Sequence, residues 1–135
     1  MYDFDLEKRE SIQAGRQALY SLKKAYNELN GARNWGVVDI LGGGMITTFM
    51  KHSKMNKAQQ FMEQAKWDLH CFSQELEDIL PYINLDFNTA DFLSFADYFW
   101  DGFVADWLMQ TKIHQTRKQV NQAIHYVESI LRQLS

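Results

Sequence analysis

An uninterrupted heptad pattern in the middle of the sequence limits what this chain can fold into more than any other feature. Eight apolar residues follow one another at alternating intervals of three and four positions: Met55, Ala58, Met62, Ala65, Leu69, Phe72, Leu76 and Ile79. Such a repeat places the apolar side chains along one side of an α-helix and is typical of a coiled-coil seam. Pro81 lacks a backbone N–H and disfavours continuation. The pattern predicts a long helix that packs against another helix and ends near Pro81.

Two other segments have the same helical periodicity. The first covers about residues 5–29, and the following Asn30-Gly31 pair predicts its end. The last continues to Leu134. Their predicted buried faces are Ile12, Gly15, Leu19, Leu22, Tyr26 and Leu29 in the first, widened by Ala14, Ala18 and Ala25, and Val120, Ile124, Val127, Leu131 and Leu134 in the last.

Shorter helices are expected between these long segments, around residues 35–50 and 90–100, with Asn88 or Thr89 as the N-cap of the second. The sequence has 7 glycines and 1 proline in 135 residues, which is too few for a many-turned β fold. The predicted fold class is therefore all-α: an antiparallel helical bundle of three long helices plus short connecting helices. We expect one domain over residues 1–135, a length that can bury its own core.

The charge is distributed unevenly along the chain. The formal net charge is −3, yet residues 67–111 contain nine acidic residues and no lysine or arginine. Residues 33–66 and 112–135 each carry a net charge of +3. A net acidic chain is not expected to bind nucleic acid. The charged segments either neutralise one another within one fold or favour self-association and binding of an oppositely charged protein.

Three features predict a soluble, cytoplasmic protein. Cys71 is the one cysteine, so no internal disulfide can form, which fits a reducing compartment. The N-terminal residues are acidic and lack the apolar run of a signal peptide. The longest weakly charged stretch, residues 35–50, is shorter than the roughly 20 apolar residues of a membrane-spanning helix. No membrane partner is expected.

A glycine-rich segment is the first candidate for a ligand-binding site. Glycines free backbone N–H groups to face an anion, and a helix that starts after them adds a favourable dipole. Hydroxyl and cationic side chains follow, so the candidate residues are Gly42, Gly43, Gly44, Thr47, Thr48, Lys51, His52 and Lys54. The order of residues is not that of a P-loop. The alternative is that the glycines let two helices meet closely at a sharp corner.

Three aspartates complete the set of candidate site residues. Asp39 with His52 forms an acid–base pair if the segment folds back on itself, but two groups are too few for a metal site, so no metal and no cofactor are predicted. Asp97 and Asp101 lie one helical turn apart and suit general acid–base work if they are buried. The alternative is that these two carboxylates cap helices or form salt bridges with basic residues such as Lys51.

Aromatic residues are concentrated between residues 92 and 107, where Phe92, Phe95, Phe99 and Phe103 share one helical face. This stripe predicts either the end of the bundle core or a dimer surface. Trp67 lies on the far side of its helix from the heptad seam, where it either packs on a further helix or marks an oligomer surface, and we favour the further helix. His70, His114 and His125 fall outside the seams and are predicted to be polar surface residues.

Two motifs resemble those of an uncharacterised family of small all-helical proteins from Gram-positive bacteria. They are the run NWGxxDxxGGGxxT followed by KHSK at residues 34–54, and FADYFWDGFVADW at residues 95–107. The resemblance covers most of the chain and implies a single helical domain, with no assigned activity. It also makes the two motifs look like parts of one arrangement, with Asp97 and Asp101 facing Lys51 and His52.

No complete catalytic set is present, so the sequence favours a non-enzymatic protein–protein interaction or regulatory module, with a homodimer or another protein as its partner. The heptad seam, the aromatic residues and the charge asymmetry carry this prediction. The alternative is a small anionic-ligand binding or enzymatic site at the corner formed by Gly42–Gly44 and Lys51-His52, with Asp39 or Asp97 as its base.

Overall fold

The computed structural model describes the backbone of residues 3–42, 45–85, 88–103 and 113–135, and the side chains of residues 3–30, 60–85, 88–101 and 116–135. Every regular element in these ranges is helical, which confirms the all-α prediction. In chain order the elements are α1 (Phe4–Gly42), α2 (Met45–Ile79), a 3₁₀ turn (Leu80–Tyr82), α3 (Thr89–Tyr98), a π-helical turn (Phe99–Phe103) and α4 (Ile113–Leu134).

The two longest helices, α1 and α2, run antiparallel as a hairpin. Ser11 Oγ donates to the carbonyl oxygen of Glu75, which is 64 positions away in sequence. Ser21 Oγ donates to Asp68, which is only 47 positions away. The sequence separation between contacting residues therefore decreases toward the glycine-rich segment, as it does in a hairpin of two helices. Because α1 ends at Gly42 and α2 begins at Met45, the triple glycine coincides with the junction between them.

Two boundaries predicted from the sequence are wrong. Helix α1 does not end at Asn30-Gly31 but continues to Gly42. The described residues of the 35–50 segment do not form a short helix of their own, since residues 35–42 belong to the end of α1 and residues 45–50 to the start of α2. A glycine inside a helix costs only about 1 kcal/mol relative to alanine, so Gly31 alone is a weak stop signal.

The heptad seam of α2 forms the centre of the core. Its residues from the described part of the helix are all fully buried: Met62, Ala65, Leu69, Phe72, Leu76 and Ile79. Met55 and Ala58 lie outside the described side chains. Helix α2 ends at Ile79, and Pro81 follows in the 3₁₀ turn, so the predicted end of this helix is confirmed.

The buried face of α1 is centred on smaller residues than the periodicity predicts. Ala18 and Ala25, expected at the margin of this face, are fully buried together with Leu22 and Leu29. Three residues predicted at its centre are only partly buried: Ile12, Leu19 and Tyr26. The physical reason is that small side chains allow a neighbouring helix backbone to approach, which moves the larger ones to the flanks.

Gly15 lies where α1 is in close contact with both α2 and α4. A Cβ atom added there would lie 2.9 Å from Cε1 of Phe72 on α2 and 2.7 Å from Cδ2 of Leu131 on α4. Ordinary contacts between carbon atoms are roughly 3.5–4.0 Å. The site therefore has room for glycine and no larger residue without a shift in its surroundings.

Helix α4 packs on α1 and runs antiparallel to it. Lys23 of α1 lies 3.7 Å from Glu128 of α4, and Arg117 Nη1 of α4 donates to Asn30 Oδ1 of α1 at 3.1 Å. The contacting residues of α4 therefore have lower numbers as those of α1 have higher numbers. The predicted seam of α4 is buried at Val120, Ile124, Val127 and Leu134 and partly buried at Leu131.

Helix α3 lies across α2 and α4. Of the two residues predicted as its N-cap, Asn88 has this role, and its Oδ1 accepts a hydrogen bond from the backbone N–H of Asp91 at 3.1 Å. The buried ring of Phe92 has its centroid 5.8 Å from that of Phe72 on α2 and 5.6 Å from that of Tyr126 on α4. The first part of the aromatic stripe thus belongs to the core.

Candidate functional site

The residues predicted to form an anion site lie outside the described side chains. They are Asp39, Gly42, Gly43, Gly44, Thr47, Thr48, Lys51, His52 and Lys54. The helix bounds place Gly42 at the end of α1 and the two threonines in the first turn of α2. The anion site and its alternative, a close corner between helices, both stay predictions.

Asp97 and Asp101 are both exposed, the first on α3 and the second in the π-helical turn. General acid–base work was predicted for them on the condition that they are buried, and this condition is not met. Their pairing with Lys51 and His52 stays a prediction, because those two side chains lie outside the described ones.

The most structured group of polar and aromatic side chains on the described surface surrounds Trp100. The imidazole of His70 stacks on the Trp100 ring, with centroids 4.1 Å apart and planes 17° from parallel. The ring of Trp67 meets it edge to face at 4.7 Å. Lys66 Nζ lies 4.8 Å from the ring centroid, a cation–π contact. We call these four residues the Trp100 cluster.

Two elements build the Trp100 cluster. Helix α2 supplies Lys66, Trp67 and His70, which lie within four positions of one another and therefore within about one helical turn. The π-helical turn that follows α3 supplies Trp100. Single π-helical turns redirect side chains and are frequent at functional sites. Because two separate elements meet here, the cluster also ties the end of α3 to α2.

Trp67 is the exposed member of the cluster. Its side chain contacts Trp100 in the π-helical turn that follows α3, so it packs on a further element, although that element is not one of the α-helices. Even so, 54% of the residue remains accessible to solvent. His70 is half-buried and packed on Trp100, so it is not a simple surface residue, whereas His125 is exposed as expected. The arrangement presents a large aromatic surface in a fixed orientation, which is a property of contact sites on proteins.

The Trp100 cluster was missed at the sequence level. The spacing of Trp67 and His70 places them on one side of α2, which is a usable signal for a surface patch. Their contact with Trp100 depends on how α3 crosses α2, and no local pattern specifies that crossing.

A second group of polar residues lies between α1 and α2. The carboxylates of Glu7, Glu10 and Glu75 each offer an oxygen within 4.8 Å of the others. They meet because Ser11 Oγ lies within hydrogen-bond distance of both the Glu7 and the Glu75 carbonyl oxygens, at 3.0 and 3.2 Å. Burial raises the pKa of Glu75 above its ordinary value of 4.5, and the negative charges of Glu10, Glu7 and Asp78 raise it further.

This raised pKa makes stability depend on pH in a defined direction. The ionised form of Glu75 is disfavoured in the folded protein. The resulting penalty is complete above the folded pKa, decreases as the pH falls through that pKa, and is absent once the pH is below the ordinary value of 4.5. We expect Glu75→Gln to raise the melting temperature at pH 7 and to have no effect at pH 4 or below. Thermal unfolding followed by circular dichroism across this range measures the difference.

The matched control is Glu77→Gln, an exposed glutamate on the same helix. It changes the net charge equally but removes no member of the carboxylate group. An equal rise in melting temperature for both variants at pH 7 would assign the effect to net charge and contradict the local repulsion.

Comparisons with known proteins leave the resemblance to a Gram-positive family as a prediction. No protein-family model matches the chain, and no curated protein or solved structure matches it. None of the described helices is long and apolar enough to cross a membrane.

Proposed function

We propose that the protein is a non-enzymatic interaction or regulatory module that binds a second copy of itself through the surface around Trp67. One observation carries the proposal: a tryptophan that is 54% exposed and is nevertheless held edge-on against Trp100. Tryptophan is among the residues that most often dominate binding energy at protein interfaces.

Preorganisation is the physical reason for assigning function to this tryptophan. A flexible exposed side chain loses conformational entropy when it is immobilised in an interface, which weakens binding. Trp67 rests on Trp100, which is itself covered by His70 and Lys66. Its orientation is therefore restricted before a partner arrives, and less entropy is lost on binding.

The proposal includes the finer architecture expected from the sequence. The three long helices of the antiparallel bundle are α1, α2 and α4, and the coiled-coil seam is the one on α2. The antiparallel contacts of α1 with both of the others support this arrangement. We also propose a cytoplasmic location, where the exposed thiol of Cys71 stays reduced.

The first test is the oligomeric state of the full chain. Sedimentation equilibrium at micromolar concentration is expected to give a mass about twice the 15.9 kDa of one chain. Trp67→Ala is expected to weaken the dimer by about 30-fold or more, as truncation of a central interface tryptophan does.

The matched control for this variant is Tyr20→Ala on α1. Tyr20 is also a large exposed aromatic residue, 59% accessible, but it lies outside the Trp100 cluster. We expect the control to leave the dimer intact. A monomeric wild-type chain, or a Trp67→Ala variant that dimerises as well as the wild type, would overturn the proposed function.

A further inference from the structure

The outward side of α2 carries a second heptad stripe, opposite the buried seam. Its residues are all exposed and follow one another at intervals of four and three: Gln60, Gln64, Trp67, Cys71, Gln74 and Asp78. All but the last are uncharged. A helix with regular stripes on two sides can pack on a neighbour at each of them. We call this outward set the α2 stripe.

The α2 stripe lies in an acidic environment. Exposed Glu63 and Glu77 flank it on the same helix, and α3 with its π-helical turn adds exposed acids such as Asp97. Lys66 is the one lysine or arginine among the described side chains of α2 and α3, and its Nζ lies 3.7 Å from Glu63 and over Trp100. Two copies of this stripe placed against each other would oppose like charges, so its partner must carry positive charge.

Helix α4 carries a stripe of the complementary sign. Its residues follow the same alternating intervals: Lys118, Gln122, His125, Ser129 and Arg132. It contains no acidic residue, and the acid of this helix, Glu128, instead lies 3.7 Å from Lys23 of α1. We call this set the α4 stripe.

The middle of the α4 stripe contains a groove. It has a volume of about 250 Å³ and is lined almost entirely by carbon atoms of Gln122, His125, Tyr126 and Ser129. An apolar groove between basic ends suits a large aromatic side chain that projects from an acidic surface. The acidic surface of this chain presents such a side chain in Trp67.

We propose that the α2 stripe of one protomer packs on the α4 stripe of a second copy, with Trp67 in the groove beside His125. Two-fold symmetry makes the same contact twice in a closed dimer. Charge complementarity orients the pair, and the aromatic contact supplies most of the affinity. This inference rests on the proposed function and adds the surface that Trp67 meets.

A charge exchange between two variants tests the pairing. The first variant makes the α4 stripe acidic through Lys118→Glu and Arg132→Glu. The second makes the end of the α2 stripe and its flank basic through Asp78→Lys and Glu77→Lys. Each variant alone opposes like charges at both contacts of the dimer, so we expect each to be monomeric at the concentration at which the wild type is dimeric.

An equimolar mixture of the two variants restores opposite charges at both contacts. Native mass spectrometry is therefore expected to show a heterodimer with one chain of each kind. The control is Arg16→Glu with Lys24→Glu, which changes the net charge of exposed α1 residues equally and is expected to stay dimeric. Circular dichroism melting of every variant verifies that it is folded.

An uncharged variant tests the groove separately. Ser129→Phe fills the groove and is expected to weaken the dimer as much as Trp67→Ala does. The proposed pairing is overturned if the mixture stays monomeric, if either charge variant dimerises alone, or if Ser129→Phe has no effect. If the wild type is dimeric in these cases and the Trp67→Ala variant is not, the proposed function stands and only the pairing with α4 fails. A monomeric wild-type chain overturns both.

Discussion

Replacing Phe72 with alanine is expected to lower the free energy of unfolding by about 3–5 kcal/mol, the range found for deletion of a buried aromatic ring. The ring is fully buried, packs on Phe92 at 5.8 Å between centroids, and faces Gly15 of α1. It thus lies where α1, α2 and α3 meet. A domain has a total stability of roughly 5–15 kcal/mol, so this loss is a large share of it.

Urea unfolding followed by circular dichroism measures this loss. The control is Tyr20→Ala, which removes an exposed aromatic ring of similar size and is expected to change stability by less than about 0.5 kcal/mol. A loss below about 1 kcal/mol for Phe72→Ala would contradict the central position of this ring.

The second large effect is expected from Gly15→Val. A single Cβ at this position already lies 2.7 Å from Leu131 and 2.9 Å from Phe72, and valine adds two further methyl groups. Forcing extra carbon atoms into a packed core typically costs 1–3 kcal/mol, and we expect about 2 kcal/mol or more here. The gain in helix propensity from replacing glycine is smaller than this and does not offset it.

A double variant distinguishes crowding from any other cause. Leu131→Ala removes the nearest crowding atom, so Gly15→Val with Leu131→Ala is expected to lose less stability than the two single losses added together. The control for helix propensity is Gln13→Val at an exposed position of the same helix. The crowding would be contradicted if the double variant lost as much stability as the two single variants together, or if Gly15→Val were as stable as the wild type. Either result would show that the helices separate freely at this point.

The described part of the α2 seam could be predicted because its information is local. Each seam residue from Met62 to Ile79 is both apolar and in phase, so periodicity alone identifies the buried side. The end of α2 at Pro81 and the start of α3 at Asn88 could also be predicted. Proline lacks a backbone N–H and an N-cap residue supplies an acceptor, and both effects act within one helical turn.

The centre of the α1 face could not be predicted in the same way. Periodicity gives weight to large residues such as Leu19, but the positions that are buried against neighbouring helices include the small residues Gly15 and Ala18. How closely two helices approach depends on the side chains of both partners. The identity of the partner helix is not contained in the sequence of α1 alone.

The candidate sites show the same division. Trp67 could be singled out, because it falls outside the seam of its own helix. Its neighbour Trp100 comes from a π-helical turn, whose extra residue changes the direction of the side chains that follow. The carboxylate of Glu75 meets Glu7 only because the hairpin aligns them, 68 positions apart in sequence.

Asp68 helps to determine how the hairpin is aligned. Two heptad repeats still match if one helix slides along the other by seven residues, so the repeat alone does not specify the alignment and specific contacts between the helices must do so. Asp68 Oδ2 accepts hydrogen bonds from Ser21 and Gln17 of α1, while its Oδ1 accepts one from Gln64. A slide of one heptad would place its carboxylate beside Ala14 or Glu28 in place of Ser21. Polar contacts distant from the helix junction thus add to the apolar packing in holding the two helices in this alignment.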